Sequence, residues 1–201
     1  MKLSTGWIVV IVIVVIIAIG FMSGIGVYNK LVSKEETVNQ QWANVENVYQ
    51  RRADLVPNLV ATVKGVANFE QQTLTNVIEA RAKATSVNIN PKNLDAASLQ
   101  KFQAAQDGLS SALSRLMVVV EKYPELKATQ NFSDLQTQLE STENRITVER
   151  RNFNEVAQAY NVYLRRFPSN MFAGMFGFQK KAYFEAVAGA EKPPTVDFDK
   201  K

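Results

Sequence analysis

Two hydrophobic patterns follow one another along the chain. From Trp7 to Met22 the sequence reads WIVVIVIVVIIAIGFM without a charge, and Ser23 to Val27 carry it on. That reaches the ~20 residues an α-helix needs to cross a hydrocarbon core. The run is longer than the apolar core of a signal peptide, Phe21-Met22-Ser23 is a poor cleavage site, and no Cys follows for acylation. Leu, Ile, Val and Phe each favour insertion by roughly 0.3–0.6 kcal/mol. The segment therefore reads as an uncleaved anchor over residues 7–27, behind a short tail at 1–6, with Trp7, Ile11, Val15, Ile19 and Phe21 facing lipid. A buried helix of a soluble core is the alternative.

From Tyr28 the pattern becomes helical, with spacings of three and four through Leu31, Val38, Trp42, Val45, Tyr49, Val56, Leu59, Val63, Val66, Val77, Ala80 and Ala84. Val48, Leu55 and Phe69 widen it into a stripe suited to a bundle. This predicts one helix from the membrane to Ala84, extending ~85 Å. Pro57 interrupts it chemically, removing one hydrogen bond at a cost of about 3 kcal/mol. Because the stripe keeps its phase there, a kink at Pro57 is expected, and a break into two helices is the alternative.

Thr85 to Asn93 has the Asn and Pro content of a loop. A second helix follows, with Leu99, Phe102, Leu109, Leu113, Leu116, Val120 and Tyr123 on one face, stopped by Pro124. Ser133-Asp134-Leu135-Gln136 has the form of a capping box. The third helix carries Leu135, Leu139, Thr142, Ile146, Phe153, Val156, Tyr160, Tyr163 and Phe167, and ends at Pro168. The fold class is all-α: a single N-terminal transmembrane helix continuing into an antiparallel up-and-down bundle of three long helices over residues 28–188.

Beyond Pro168 the glycines Gly174 and Gly177 interrupt an aromatic cluster of Phe172, Phe176, Phe178, Tyr183 and Phe184, which predicts a short fourth helix and an irregular cap. Three helices running out, back and out again would carry this cap far from the host membrane, where it is expected to close the distal end of the bundle, engagement of a partner being the alternative. Lipid contact by Phe176 and Phe178 with Lys180-Lys181 would then need a second membrane or a folded-back stalk. Residues 189–201, with Pro193-Pro194 and dense charge, read as a disordered tail.

Among 201 residues there is neither Cys nor His. Disulfides, thiolate zinc, Cys nucleophiles and imidazole bases are thereby excluded. A net charge of +4 is too small to argue for nucleic acid. Lys2 and the α-amino group flank one end of the anchor and Lys30 and Lys34 the other, so the positive-inside rule leaves the side of the soluble domain open.

Charges on the apolar stripes narrow the chemistry further. Glu35, Arg52 and Glu70 lie on the first stripe and Glu149 on the third. A buried charge is costly unless paired. Arg52 is therefore expected to meet Glu149, or Glu143 nearby, between helices, and snorkelling to the edge of the stripe is the alternative. Glu140 and Glu143 share a helical face, yet a bundle di-metal site pairs such acids with His, so a solvated acidic face is expected. Arg51-Arg52, Arg150-Arg151 and Arg165-Arg166 read as helix surface, and no Gly-rich phosphate loop or nucleophile motif is present. No catalytic, cofactor or metal residue is assigned. The first helix outlasts its companions, at ~85 Å against ~45 Å and ~55 Å. Leu31, Val38, Trp42 and Val45 are accordingly expected to be left uncovered and to mediate self-association.

Several segments resemble the LemA family. They are Arg51-Arg52-Ala53-Asp54-Leu55-Val56-Pro57-Asn58-Leu59-Val60, Thr62-Val63-Lys64-Gly65, Tyr123-Pro124-Glu125-Leu126-Lys127 and Leu139-Glu140-Ser141-Thr142-Glu143-Asn144-Arg145-Ile146. Asn154, Tyr160-Asn161, Arg166-Phe167-Pro168-Ser169-Asn170, Ala173-Gly174 and Gly177-Phe178 continue the likeness. Phe69-Glu70 stands where many members carry His-Glu, which weakens a metal role there. The resemblance implies a bacterial or archaeal membrane protein with an N-terminal helix, a helical bundle and no established enzymatic activity. Some members are associated with internal-membrane formation and others are encoded near a membrane protease. The expected function is a scaffold in the cell's inner membrane, crossing once, which self-associates or organises envelope components. An adaptor of a membrane protease or chaperone is one alternative, and a hydrolase using Glu140, Glu143 or Glu149 another. Expected partners are membrane lipid, further copies of the chain or an envelope protein, and not nucleic acid.

Overall fold

The computed structural model describes residues 5–66 and 69–185. Helix α1 spans Thr5–Lys64 without a break, then α2 Gln71–Ser86, a 3-10 turn at Pro91–Asn93, α3 Ala96–Val120, α4 Pro124–Lys127, α5 Gln130–Arg165 and α6 Ser169–Phe176. No strand occurs among the described residues, so the fold is all-α. The expected tail at 189–201 lies outside them.

The first helix does not continue to Ala84. It runs through Pro57 and stops at Lys64, and the chain turns at Gly65 and Val66, whose N–H donates to the Val63 carbonyl at 3.1 Å. Gly is a poor helix former, and it stands where the helix ends. Helix α2 then folds back along α1, and Arg81 reaches the Ala53 carbonyl at 2.8 Å. That carbonyl is the one left unpaired when Pro57, four residues on, lacks an N–H. The guanidinium supplies the missing donor, so the helix stays whole across the proline.

This extra reversal changes every direction downstream. Helix α3 runs outward beside α1, with Phe102 against Trp42 and Ser110 against Arg52. Helix α5 returns antiparallel to α1, with Glu143 at Arg52, Phe153 at Trp42 and Tyr163 at Lys34. The close backbone pairs are α1 with α5 and α2 with α3. Helix α6 therefore ends beside Gly24 and Tyr28 of α1. The aromatic segment sits at the anchor end, not at the distal end. Asp95 caps α3 through the Ser98 N–H, and one expected helix start shifts: Thr129, not Ser133, caps α5 through the Phe132 N–H.

Two apolar clusters fill the bundle. The near one, on the anchor side, gathers Leu31, Val38, Trp42, Val45, Phe102, Phe153, Tyr160 and Phe184. The far one gathers Val56, Leu59, Val63, Leu74, Val77, Leu109, Leu116 and Phe132. Helix α2 reaches only the far cluster. In the near half its place is taken by residues 178–185, an irregular strap. Gly177, at φ 76°, ends α6 in the left-handed region that Gly adopts freely, and the Phe178 N–H returns to the Ala173 carbonyl at 3.0 Å.

Candidate functional site

Between the two clusters lies a polar layer centred on Arg52, whose side chain is 2% exposed. Its Nη1 donates to Glu143 Oε1 at 2.7 Å and Ser110 Oγ at 2.6 Å, and Nη2 to the Gln106 carbonyl and Oε1 at 3.1 and 2.7 Å. The Gln106 amide in turn donates to the Ala84 carbonyl at 3.1 Å. The guanidinium thus joins α1 to α3 and α5, its planar fork suiting several acceptors at once, and Gln106 carries the layer on to α2. Glu149 is not part of this layer. It accepts from Gln41 at 2.6 Å, some three turns nearer the anchor. Glu140 accepts from Gln136 at 3.1 Å. The acids a hydrolytic site would need are engaged with separate partners, and no group of three metal-ligating side chains forms among the described residues. Glu70 is exposed at the start of α2.

Leu31, Val38, Trp42 and Val45 are each 0% exposed. The chain covers them itself, so the expected self-association surface is corrected. The Trp42 indole stacks on Phe184 at 6.1 Å and meets Phe102 and Phe153 edge-on at 5.3 and 5.6 Å. Helix lengths alone had omitted the strap that delivers Phe184.

The strap has backbone groups that no helix satisfies, and α5 satisfies them with amides. Asn161 accepts from the Lys181 N–H at 3.0 Å and donates to the Lys181 carbonyl and Tyr183 hydroxyl, each at 2.8 Å. Asn154 repeats the exchange with Phe184, at 2.8 and 2.9 Å. An Asn side-chain amide offers the acceptor and donor of a peptide unit and, through its NH2, a second donor, which at Asn161 goes to the Tyr183 hydroxyl. The spacing fits as well: seven residues rise about 10.5 Å along a helix, and three extended residues cover about 10 Å. Tyr160 donates to the Gln179 carbonyl at 3.0 Å, and burial, with Glu35 nearby, raises its hydroxyl pKa well above the usual phenol range. Lys181, 3% exposed, pairs with Glu35 at 2.8 Å and reaches the Pro91 carbonyl at 3.3 Å. This pair, buried at Lys181 and half-buried at Glu35, was missed in the sequence, where Glu35 stood on the stripe with no partner in view.

At the base, Trp7, Ile11, Val15, Ile19 and Phe21 are all exposed, between 46% and 70%. Burial begins at Gly24, where an added Cβ would stand 3.0 Å from Phe172 of α6, and continues at Val27 and Leu31. Phe176 and Phe178 meet Tyr28 edge-on at 5.0 and 5.8 Å. Of the aromatic segment, Phe184 is buried, Phe172 and Phe178 are half-buried, and Phe176 and Tyr183 stay exposed.

A helix apolar enough to cross a membrane, joined without a loop to a bundle locked by an Arg layer and an Asn-held strap, defines a membrane-associated helical protein. Residues 41–198 match the LemA family, and the chain belongs to it. Magnetosome protein MamQ 1 of Paramagnetospirillum magneticum is 26% identical over 183 residues, covering 83% of this chain and 67% of its own length. Magnetosome protein MamQ of Magnetospirillum gryphiswaldense is similar to the same extent. Protein LemA of Metamycoplasma hominis is 24% identical over 170 residues, covering 85% of this chain and 74% of its own.

Proposed function

We propose that this protein is a single-pass scaffold of the cell's inner membrane that organises membrane or envelope components and performs no catalytic step. One observation carries the reading: α1 passes unbroken from side chains exposed on every face to side chains buried on one. An exposed apolar surface of that length needs lipid around it. The same helix then provides the spine on which α5, α2 and α6 are assembled. A rigid mount of this kind fixes the distance and direction at which the bundle's polar outer faces meet a neighbour. The similarity to proteins named for the magnetosome supports an organising role.

Carbonate extraction of membranes holding the full chain, followed by cross-linking through Val148→Cys, tests the proposal. Val148 is 44% exposed on α5, and the chain has no other Cys. Retention in the membrane with a cross-linked neighbour is the expected result. Release by carbonate overturns the anchor, and absence of any neighbour at every linker length overturns the scaffold. The neighbour's identity separates self-assembly from an adaptor serving a protease or chaperone.

A further inference from the structure

We propose that α6 is an interfacial helix, with Phe167, Met171 and Met175 lying in the headgroup–acyl boundary of the same bilayer that holds the anchor. The inference rests on the membrane-anchor reading and adds a second, non-spanning contact with lipid.

The level of α6 is set by its seat. Phe172 lies against Gly24, and Phe176 and Phe178 against Tyr28, while the uncharged run of α1 extends to Val27. From Trp7 to Val27 the helix rises about 30 Å, the thickness of a hydrocarbon core. The edge of that core therefore falls at the last apolar turn of α1, which is the turn α6 covers.

The outward face of α6 has the matching chemistry. Its sequence SNMFAGMF holds no charge. Ser169 and Ala173 are buried against the bundle, while Met171 and Met175 point away at 62% and 75% exposure and Phe167, just before the helix, at 80%. On α1, in the turns around Gly24, Phe21, Met22 and Ile25 are likewise exposed, at 70%, 73% and 48%. Elsewhere on the bundle the large exposed apolar residues, such as Ile78 and Val118, stand apart in the sequence. Exposed cations flank this face in the sequence, with Lys30 two residues past Tyr28 on α1, Arg165 and Arg166 just before α6 and Lys180 just after it, where anionic headgroups would meet them. Of the acids at this level, Glu35 is tied to Lys181, and Glu36 accepts from Asn39 at 3.4 Å. A short apolar face under a basic rim is the arrangement by which a helix lies in an interface, about 5–10 Å deep.

The test uses nitroxide labels on single cysteines, since the chain has none of its own. Full-length protein carrying Met171→Cys, Met175→Cys, Val15→Cys or Asn131→Cys is reconstituted in vesicles of phosphatidylcholine and phosphatidylglycerol. Accessibility to oxygen and to a water-soluble nickel chelate then reports depth. Labels at 171 and 175 are expected to read between the deep label at 15 and the aqueous label at 131, close to the headgroups. Labels at 171 and 175 as aqueous as that at 131, with 15 still deep, would overturn the interfacial helix and leave the anchor standing. An aqueous label at 15 overturns the anchor and, with it, this inference. Spin–spin broadening at 175 that disappears on dilution with unlabelled protein would assign the face to a second copy and overturn the lipid assignment.

Discussion

The two halves of the bundle reach the same end by different means. In the far half the fourth element is α2, a helix that satisfies its own backbone and contributes Leu74, Val77 and Ala84 to the core. In the near half the fourth element is an eight-residue strap with no hydrogen-bond ladder of its own. Every buried peptide group needs a partner, so the near half must spend side chains on the backbone: Asn154, Asn161, Tyr160, Gln103 and Arg150 all bond strap carbonyls. The lesson is local to α5, where Asn154 and Asn161 mark the irregular chain they hold, whereas the buried Arg52 layer joins helix to helix.

The strongest way to break the comparison is Trp42→Ala, which removes the side chain that Phe102, Phe153 and Phe184 surround. A loss of about 3–5 kcal/mol is expected in urea unfolding of the detergent-solubilised chain. Hydrogen exchange should rise first in the near half and strap, and equal loss of protection in α2 would mean that the halves open as one unit. Next in size is Asn161→Ala, which strands the Lys181 peptide groups and the Tyr183 hydroxyl. It should cost about 2–3 kcal/mol, and amides 179–185 should exchange faster while α2 is unchanged. The smallest effect is in the far half. Arg81→Ala should cost about 1.5 kcal/mol by orphaning the Ala53 carbonyl. The same change in a Pro57→Ala background should cost almost nothing, because the restored N–H takes that carbonyl. A double-mutant cycle that comes out additive would show that the guanidinium does not substitute for the proline's missing donor.

Local features were legible in the sequence. The apolar run, the faces of α3 and α5, and a charge on the stripe at Arg52 that needs an acid nearby all follow from spacing within a few turns. Direction was not legible. Val63, Val66 and Val77 keep helical phase whether the chain continues or doubles back at Gly65, because each arm of a hairpin has its own apolar face. One uncounted reversal then placed the aromatic segment at the wrong end and left Leu31, Val38, Trp42 and Val45 without a cover. Asn154 and Asn161 were visible as family residues, and the seven-residue interval that puts them on one face of α5 was the available clue. Their role could not be read without the strap they hold.

Helix α1 contains no hinge between the anchor and the bundle. The stretch from Val27 to Lys64 projects about 55 Å, so a change in anchor tilt of about 10° sweeps the far tip through roughly 10 Å. Tilting is one way a spanning helix accommodates the thickness of its bilayer, and on the proposed anchor reading any such tilt carries the bundle with it, α6 and its seat at Gly24 turning as one piece.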